Sequence, residues 1–147
     1  MFLAVGTDIE EIARFERVLQ DKRMMKRCFT ERERAYFAAR GGAAAESAAA
    51  AFCAKEAFGK AVGTGITVNT LPEIEVLHNE RGQPYLALGG SMGKLYADLT
   101  LSVSLSHSAH YAVATVLAYK NTGEAAGEDE PPAAVQGGGA CEDAHSG

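Results

Sequence analysis

An alanine-rich stretch from residue 43 to 62 runs straight into Gly63-Thr64-Gly65, and it constrains this chain more than any other feature. Alanine is the strongest helix former and β-branched residues are scarce here, so a long helix is expected, halted by glycine at its C-terminal end. Residues i, i+4 and i+8 share one helix face, which puts Phe52, Glu56 and Lys60 on a single stripe. Two readings follow from this segment alone. One is a surface Glu–Lys pair contributing about 0.2–0.5 kcal/mol, followed by a helix stop. The other is a metal ligand and a phosphate-binding cation beside a loop whose glycines expose backbone amides.

The 147 residues suffice for one domain with a real core. A 47% apolar and 22% charged composition is ordinary for a globular protein. No apolar run approaches the roughly 18–20 residues of a membrane span, and the start lacks the basic n-region of a signal peptide. Cys28, Cys53 and Cys141 are odd in number and widely spaced, which argues against a disulfide framework or zinc site and fits a reducing cytoplasm. The net charge of −5 is unevenly distributed. Residues 121–147 hold six acids and no Lys or Arg, so residues 1–120 carry 14 basic against 13 acidic groups. With paired prolines, a glycine run and Val135 as its only large aliphatic residue, that tail is expected to be disordered. The domain is expected to end near Lys120.

Residues 2–7 read as a strand, with Asp8 as the N-cap of a helix from Ile9 to Leu19 whose Ile12, Phe15 and Leu19 face the core. Thr30-Glu31-Arg32-Glu33 has the capping-box pattern and opens a helix to about Arg40, ended by Gly41-Gly42. Strands follow at 74–77 and 85–88 around a turn, then at 100–106 and 111–119, with a short helix over 90–98. Helices first and strands later predict an α+β fold, with helices packed on one face of a small antiparallel sheet.

Between residues 14 and 34, eight basic side chains face four acidic ones. With Met24, Met25 and Phe29 interleaved, this segment suits an acidic helical partner. It is too short, and too poor in stacking aromatics, for a nucleic-acid surface. Ser106-His107-Ser108 does not make a nucleophile: neighbouring strand residues point to opposite faces, and no G-x-S-x-G elbow is present.

Four motifs in order, Gly6/Asp8/Ile9, Lys55-Glu56-Ala57 with Lys60 and Gly63-Thr64-Gly65, Asn79/Gly82/Pro84, and Ser106-His107-Ser108, resemble the holo-acyl-carrier-protein synthase family of small phosphopantetheinyl transferases. The resemblance spans roughly residues 2 to 118. It implies magnesium-dependent transfer of 4′-phosphopantetheine from coenzyme A to a serine of an apo acyl carrier protein, releasing adenosine 3′,5′-bisphosphate and activating the carrier for fatty acid synthesis. It assigns magnesium to Asp8 and Glu56, and coenzyme A phosphates to Lys60 and the loop Gly63, Thr64 and Gly65. Asn79, Gly82 and Pro84 would border the adenine, and Ser106, His107 and Ser108 would hold the nucleotide. Glu56 is also the candidate base for the carrier serine, directly or through water. The acidic carrier would dock on Arg14, Arg23, Met24 and Arg27. A cytoplasmic homotrimer with no membrane or nucleic-acid partner is implied. Ala51 stands where many relatives carry an arginine, which puts one phosphate or neighbour-subunit contact in doubt. The rival readings are a noncatalytic carrier- or coenzyme-A-binding module and a different magnesium-dependent phosphotransferase.

Overall fold

The computed structural model describes residues 2–120; the expected tail over 121–147 lies outside them. The element order is β1 (Phe2–Glu11), α1 (Ile12–Gln20), α2 (Lys22–Cys28), α3 (Glu31–Ala39), α4 (Ala44–Val62), β2 (Ile74–His78), β3 (Pro84–Leu88), α5 (Gly90–Leu95), β4 (Thr100–His107) and β5 (Tyr111–Lys120). The α+β class stands. The strands divide, however, between an antiparallel sheet of order β1-β5-β4 and a separate β2-β3 hairpin. No helix of the described residues is long and apolar enough to cross a membrane.

Asp8 is not an N-cap. β1 pairs with β5 over its whole length, from Phe2↔Lys120 to Glu11↔Tyr111, so the strand continues through Asp8 and the helix starts at Ile12. Ladder hydrogen bonds to β5 outweigh the local capping preference that would have begun a helix at Ile9. The segment expected only as a basic surface also contains a helix, α2, whose N-cap Asp21 accepts from the amides of Arg23 and Met24. Met25 and Phe29 face the core there; Met24 stays at the surface. The capping box at Thr30 and Glu33 forms as its sequence predicts.

The core is built around α4. Its alanines at 48, 49, 54 and 57 are fully covered, and their small side chains let the helix lie close against β1 and β5. Phe15, Phe29, Phe37, Phe58, Ile74 and Val116 fill the remaining volume. Gly6 marks the closest approach: a Cβ there would stand 1.9 Å from the carbonyl oxygen of Ala57. The other face of the three-stranded sheet is bare, with Leu3, Val5, Ile9 and Tyr111 exposed.

One buried ion pair ties the helices to the hairpin. Lys55 Nζ donates to Glu33 Oε1 at 2.7 Å, to Cys28 O at 2.7 Å and to Leu71 O at 3.0 Å. Glu33 also accepts from the amides of Thr30 and Val76. Burial pulls the Lys55 ammonium below the ordinary lysine range, opposed by the Glu33 charge. Replacing Glu33 with Ala strands that ammonium and two amides, so unfolding in urea should show a loss of about 3–5 kcal/mol. A loss below about 1 kcal/mol, typical of surface pairs, would remove the pair from the fold's essential contacts.

Candidate active site: a carboxylate cluster between strand and helix

Strand alternation points Asp8 and Glu10 to the same face of β1 as Gly6, toward α4. Helical spacing brings Cys53, Glu56 and Lys60 along the facing side of α4. Because Gly6 permits close packing at Ala57, the two sets meet. Lys60 Nζ donates to Asp8 Oδ1 at 2.9 Å and to Thr7 O at 3.0 Å. Asp8 Oδ2 is buried and accepts no hydrogen bond. Glu10 is held by Arg14 at 2.8 Å, an i, i+4 pair.

Electrostatics confirm that these groups share one field. Burial first, then the charges of Asp8 and Glu10, raise the proton affinity of the Glu56 carboxyl, while Lys60 and Arg14 pull it back. The hydrogen bond from Lys60 to Asp8, followed by the charge itself, holds the Lys60 ammonium above its usual range. Three acids and two cations thus crowd one spot, and Glu56 has no ion pair among the described residues.

Magnesium takes one or two protein carboxylates and fills its remaining positions with water and phosphate oxygens. The unpartnered buried oxygen of Asp8 beside Glu56 fits that demand. No group of three or more His, Cys, Asp or Glu that could cage a metal occurs among the described residues. The arrangement therefore suits an ion that brings its own ligands.

The other expected residues fall elsewhere. Gly63 ends α4 at φ +77°, and the amides of Gly63 and Gly65 both turn back to Gly59 O. Thr64 Oγ1 lies 3.2 Å from the Tyr96 hydroxyl. Asn79 spends its side chain on the hairpin turn, accepting from the amides of Arg81 and Gln83, with Gly82 at φ +78°. Asn79 and Pro84 line a groove with Leu101 and Val103. His107 Nε2 sits 3.1 Å from Glu46 Oε1, and with Ser106, Arg40 and Ala51 it lines a cavity of about 190 Å³. Ser108 is absorbed by the β4–β5 turn, where its hydroxyl accepts from the amides of His110 and Tyr111. Glu46 and Glu56 are ten residues apart on α4, about 15 Å along the axis. Within one chain, the His107 cavity and the carboxylate cluster are therefore separate.

Sequence reading missed Glu10 and the setting of Cys53. The i, i+2 spacing from Asp8 was a usable signal for Glu10, hidden by the expectation of a helix from Ile9. On α1 and α2, Arg14, Arg23, Met24 and Arg27 are all exposed, as the expected docking surface requires.

Comparison with known proteins places the chain among relatives with this architecture. Residues 4–116 match the model of the 4′-phosphopantetheinyl transferase superfamily. The chain is 42% identical over 123 residues to a holo-[acyl-carrier-protein] synthase of Geobacter metallireducens, covering 80% of this chain and 97% of the relative. It is 38% identical over 120 residues to that of Treponema denticola, covering 80% and 98%. Its fold is similar to the Bacillus anthracis holo-(acyl-carrier-protein) synthase in complex with CoA (3′,5′-ADP), with TM-score 0.68, 36% identity and coverage of 80% and 96%. The Chronobacterium ammoniagenes ACPS–CoA complex matches with TM-score 0.70, 30% identity and coverage of 82% and 99%.

The Cys53 thiol is fully buried and donates to Ala112 O at 3.3 Å. Burial, then the Asp8 and Glu10 charges, push it up to about 12. Burial likewise raises the Cys28 thiol. Iodoacetamide at pH 8 should therefore leave both cysteines unmodified in the native protein and label both after denaturation, read by peptide mass mapping. Rapid native labelling of Cys53 would show that β1 and α4 separate in solution.

Proposed function

The chain belongs to the 4′-phosphopantetheinyl transferase superfamily, together with its holo-[acyl-carrier-protein] synthases, and we propose that it transfers 4′-phosphopantetheine from coenzyme A to a serine of an apo acyl carrier protein. The observation that carries this reading is the convergence of Asp8 and Glu56, with Asp8 Oδ2 buried and unpartnered. In the reaction, the serine oxygen forms a bond to the pantetheine-side phosphorus of the pyrophosphate. The bond from that phosphorus to the bridging oxygen breaks, and adenosine 3′,5′-bisphosphate leaves. Magnesium bound by Asp8 and Glu56 would supply charge neutralisation on the pyrophosphate.

The chain's own residues supply the rest. Asp8 and Glu56 would hold the cation through which the diphosphate end is drawn to α4. Lys60 is exposed at the same rim, and its ammonium can exchange Asp8 for a phosphate oxygen as a mobile point charge. Glu56, directly or through a water, is the candidate acceptor of the serine proton. The Gly63–Gly65 loop, the Asn79–Pro84 turn and the Ser106–His107 edge bind the nucleotide portion. An acidic carrier lies on α1 and α2, where Arg23 and Arg27 have no ion pair among the described residues. The activated carrier serves fatty acid synthesis, and the enzyme is cytoplasmic.

Two observations support assembly into a homotrimer with sites between subunits. The bare sheet face joins Leu3, Val5 and Ile9 to Tyr119, Leu117 and Val113 across the β1–β5 register, an apolar face interrupted by the Thr7–Thr115 pair. The His107 cavity lies too far along α4 to serve the carboxylate cluster of its own chain, so a neighbour's cavity would complete the site.

Incubation with apo carrier, coenzyme A and magnesium should add the mass of phosphopantetheine to the carrier. Asp8→Asn should abolish that addition while circular dichroism stays unchanged, since Asp8 caps no helix. Near-normal transfer by Asp8→Asn would overturn the metal assignment; an unmodified carrier with the unaltered protein would leave a binding module. Light scattering should give three times the 15.5 kDa chain mass. Val5→Glu should shift the protein to monomers that no longer transfer, and an active monomer would refute the shared site.

A further inference from the structure

A groove of about 230 Å³ between α1, α2 and α3 has an apolar floor of Leu19 and Met25 and a rim of Lys22, Lys26 and Arg34. Among the described residues no carboxylate lines it. Lys22 and Lys26 stand one turn apart on α2, like charges that repel at i, i+4. Neither makes an ion pair among the described residues, and Arg34 gives one donor to Phe29 O at 2.6 Å. Arg23 and Arg27 add exposed positive charge on the same helix. The groove is built wholly on helices, apart from the bare sheet face.

The chain itself carries a complement to this groove. Beyond Lys120 it reads Glu128-Asp129-Glu130-Pro131-Pro132-Ala133-Ala134-Val135, three consecutive acids followed by an apolar run. No Lys or Arg occurs from residue 121 onward. The relatives have no counterpart of this segment, since alignments covering 97% and 98% of them cover only 80% of this chain. Glu130 stands ten residues past Lys120, a contour of about 33–36 Å, and Val135 fifteen, about 50 Å. A domain of this size is roughly 35 Å across, so the segment has the length to reach the groove of its own chain.

We propose that residues 128–135 dock in this groove, with Glu128, Asp129 and Glu130 on Lys22, Lys26 and Arg34, and Val135 on the floor of Leu19 and Met25. Attachment raises the local concentration of the segment to the millimolar range, so weak contacts suffice. The occupied groove lies beside Arg23, Met24 and Arg27 on α2, and an acidic carrier must displace the segment to use that face. This last step rests on the carrier assignment made above; the docking itself does not.

Zero-length carbodiimide cross-linking of the full-length protein, read by peptide mass mapping, tests the contact. Carboxylates at 128–130 should couple to Lys22 and Lys26 in preference to Lys94. Lys94 is exposed and only four residues from Asp98, the partner of Lys120, so a segment with no docking site would meet it first. The yield at Lys22 and Lys26 should fall severalfold at about 1 M salt, where the Debye length is near 3 Å. Val135→Asn should lower it severalfold too, the apolar anchor being lost. Coupling chiefly to Lys94, or a yield that ignores both salt and Val135→Asn, would overturn the proposal. The triple variant Glu128→Gln, Asp129→Asn, Glu130→Gln should bind apo acyl carrier protein roughly three- to tenfold more tightly than the unaltered protein. That is the gain when a tethered competitor of millimolar effective concentration and submillimolar affinity is removed. Cross-links at Lys22 and Lys26 with no change in carrier affinity would uphold the docking and overturn the carrier assignment. Absent cross-links with a carrier that still binds α1 and α2 would overturn the docking alone.

Discussion

The Lys55 ammonium is the contact on which the rest of the molecule depends. Each of its donors is used: one on the last residue of α2, one on Glu33 in α3, one on the turn that leads into β2. Glu33 completes the junction through the amide of Val76. A simple buried ion pair can often be exchanged for apolar side chains at little cost. This one cannot, because the amides of Thr30 and Val76 donate to Glu33 and the Cys28 carbonyl accepts from Lys55, and each would cost about 1–3 kcal/mol unsatisfied. The pair therefore fixes α4 relative to α2, α3 and the hairpin while occupying only one of its faces.

The next residue along, Glu56, is rotated by about 100° and looks toward β1 instead. Adjacent positions on one helix thus separate architecture from chemistry. The distance between helix and strand is set by Gly6, where any side chain would strike the Ala57 carbonyl. That approach forces three carboxylates into a shared field, a costly arrangement partly offset by Lys60 and Arg14. Repulsion left over in this way is what a cation-binding site stores.

Much of this was legible in the sequence because it depends on local rules. The capping box at Thr30, the glycine stop at Gly63 and the turn at Asn79 are set by residues within four positions of one another, and all three form as expected. The end of β1 was not legible. Asp8 followed by apolar residues at helical spacing looks like a helix start, and only pairing with β5, over a hundred residues away, extends the strand to Glu11. The same error concealed Glu10, whose facing depends on strand alternation. Met25 and Phe29 were misplaced for a related reason: α2 rotates them inward, and a basic segment read without its helix has no inside. The pairing of Lys60 with Asp8, and of Lys55 with Glu33, required the packing of α4 to be known.

Ala51 gains a meaning from its surroundings. It stands in the wall of the His107 cavity with Arg40 and Ser47, where Arg40 Nε donates to the Ser47 hydroxyl at 3.3 Å and the guanidinium lies 5.9 Å from the Tyr36 ring centre. A long basic side chain at position 51 would project into this space. With alanine there, Arg40 enters from α3 and provides a guanidinium to the same cavity from another element. The Arg40 guanidinium thus lines the same cavity as Ala51, reached by a different route through the fold. A guanidinium in a half-enclosed cavity can bind a phosphate through paired donors whichever helix carries it.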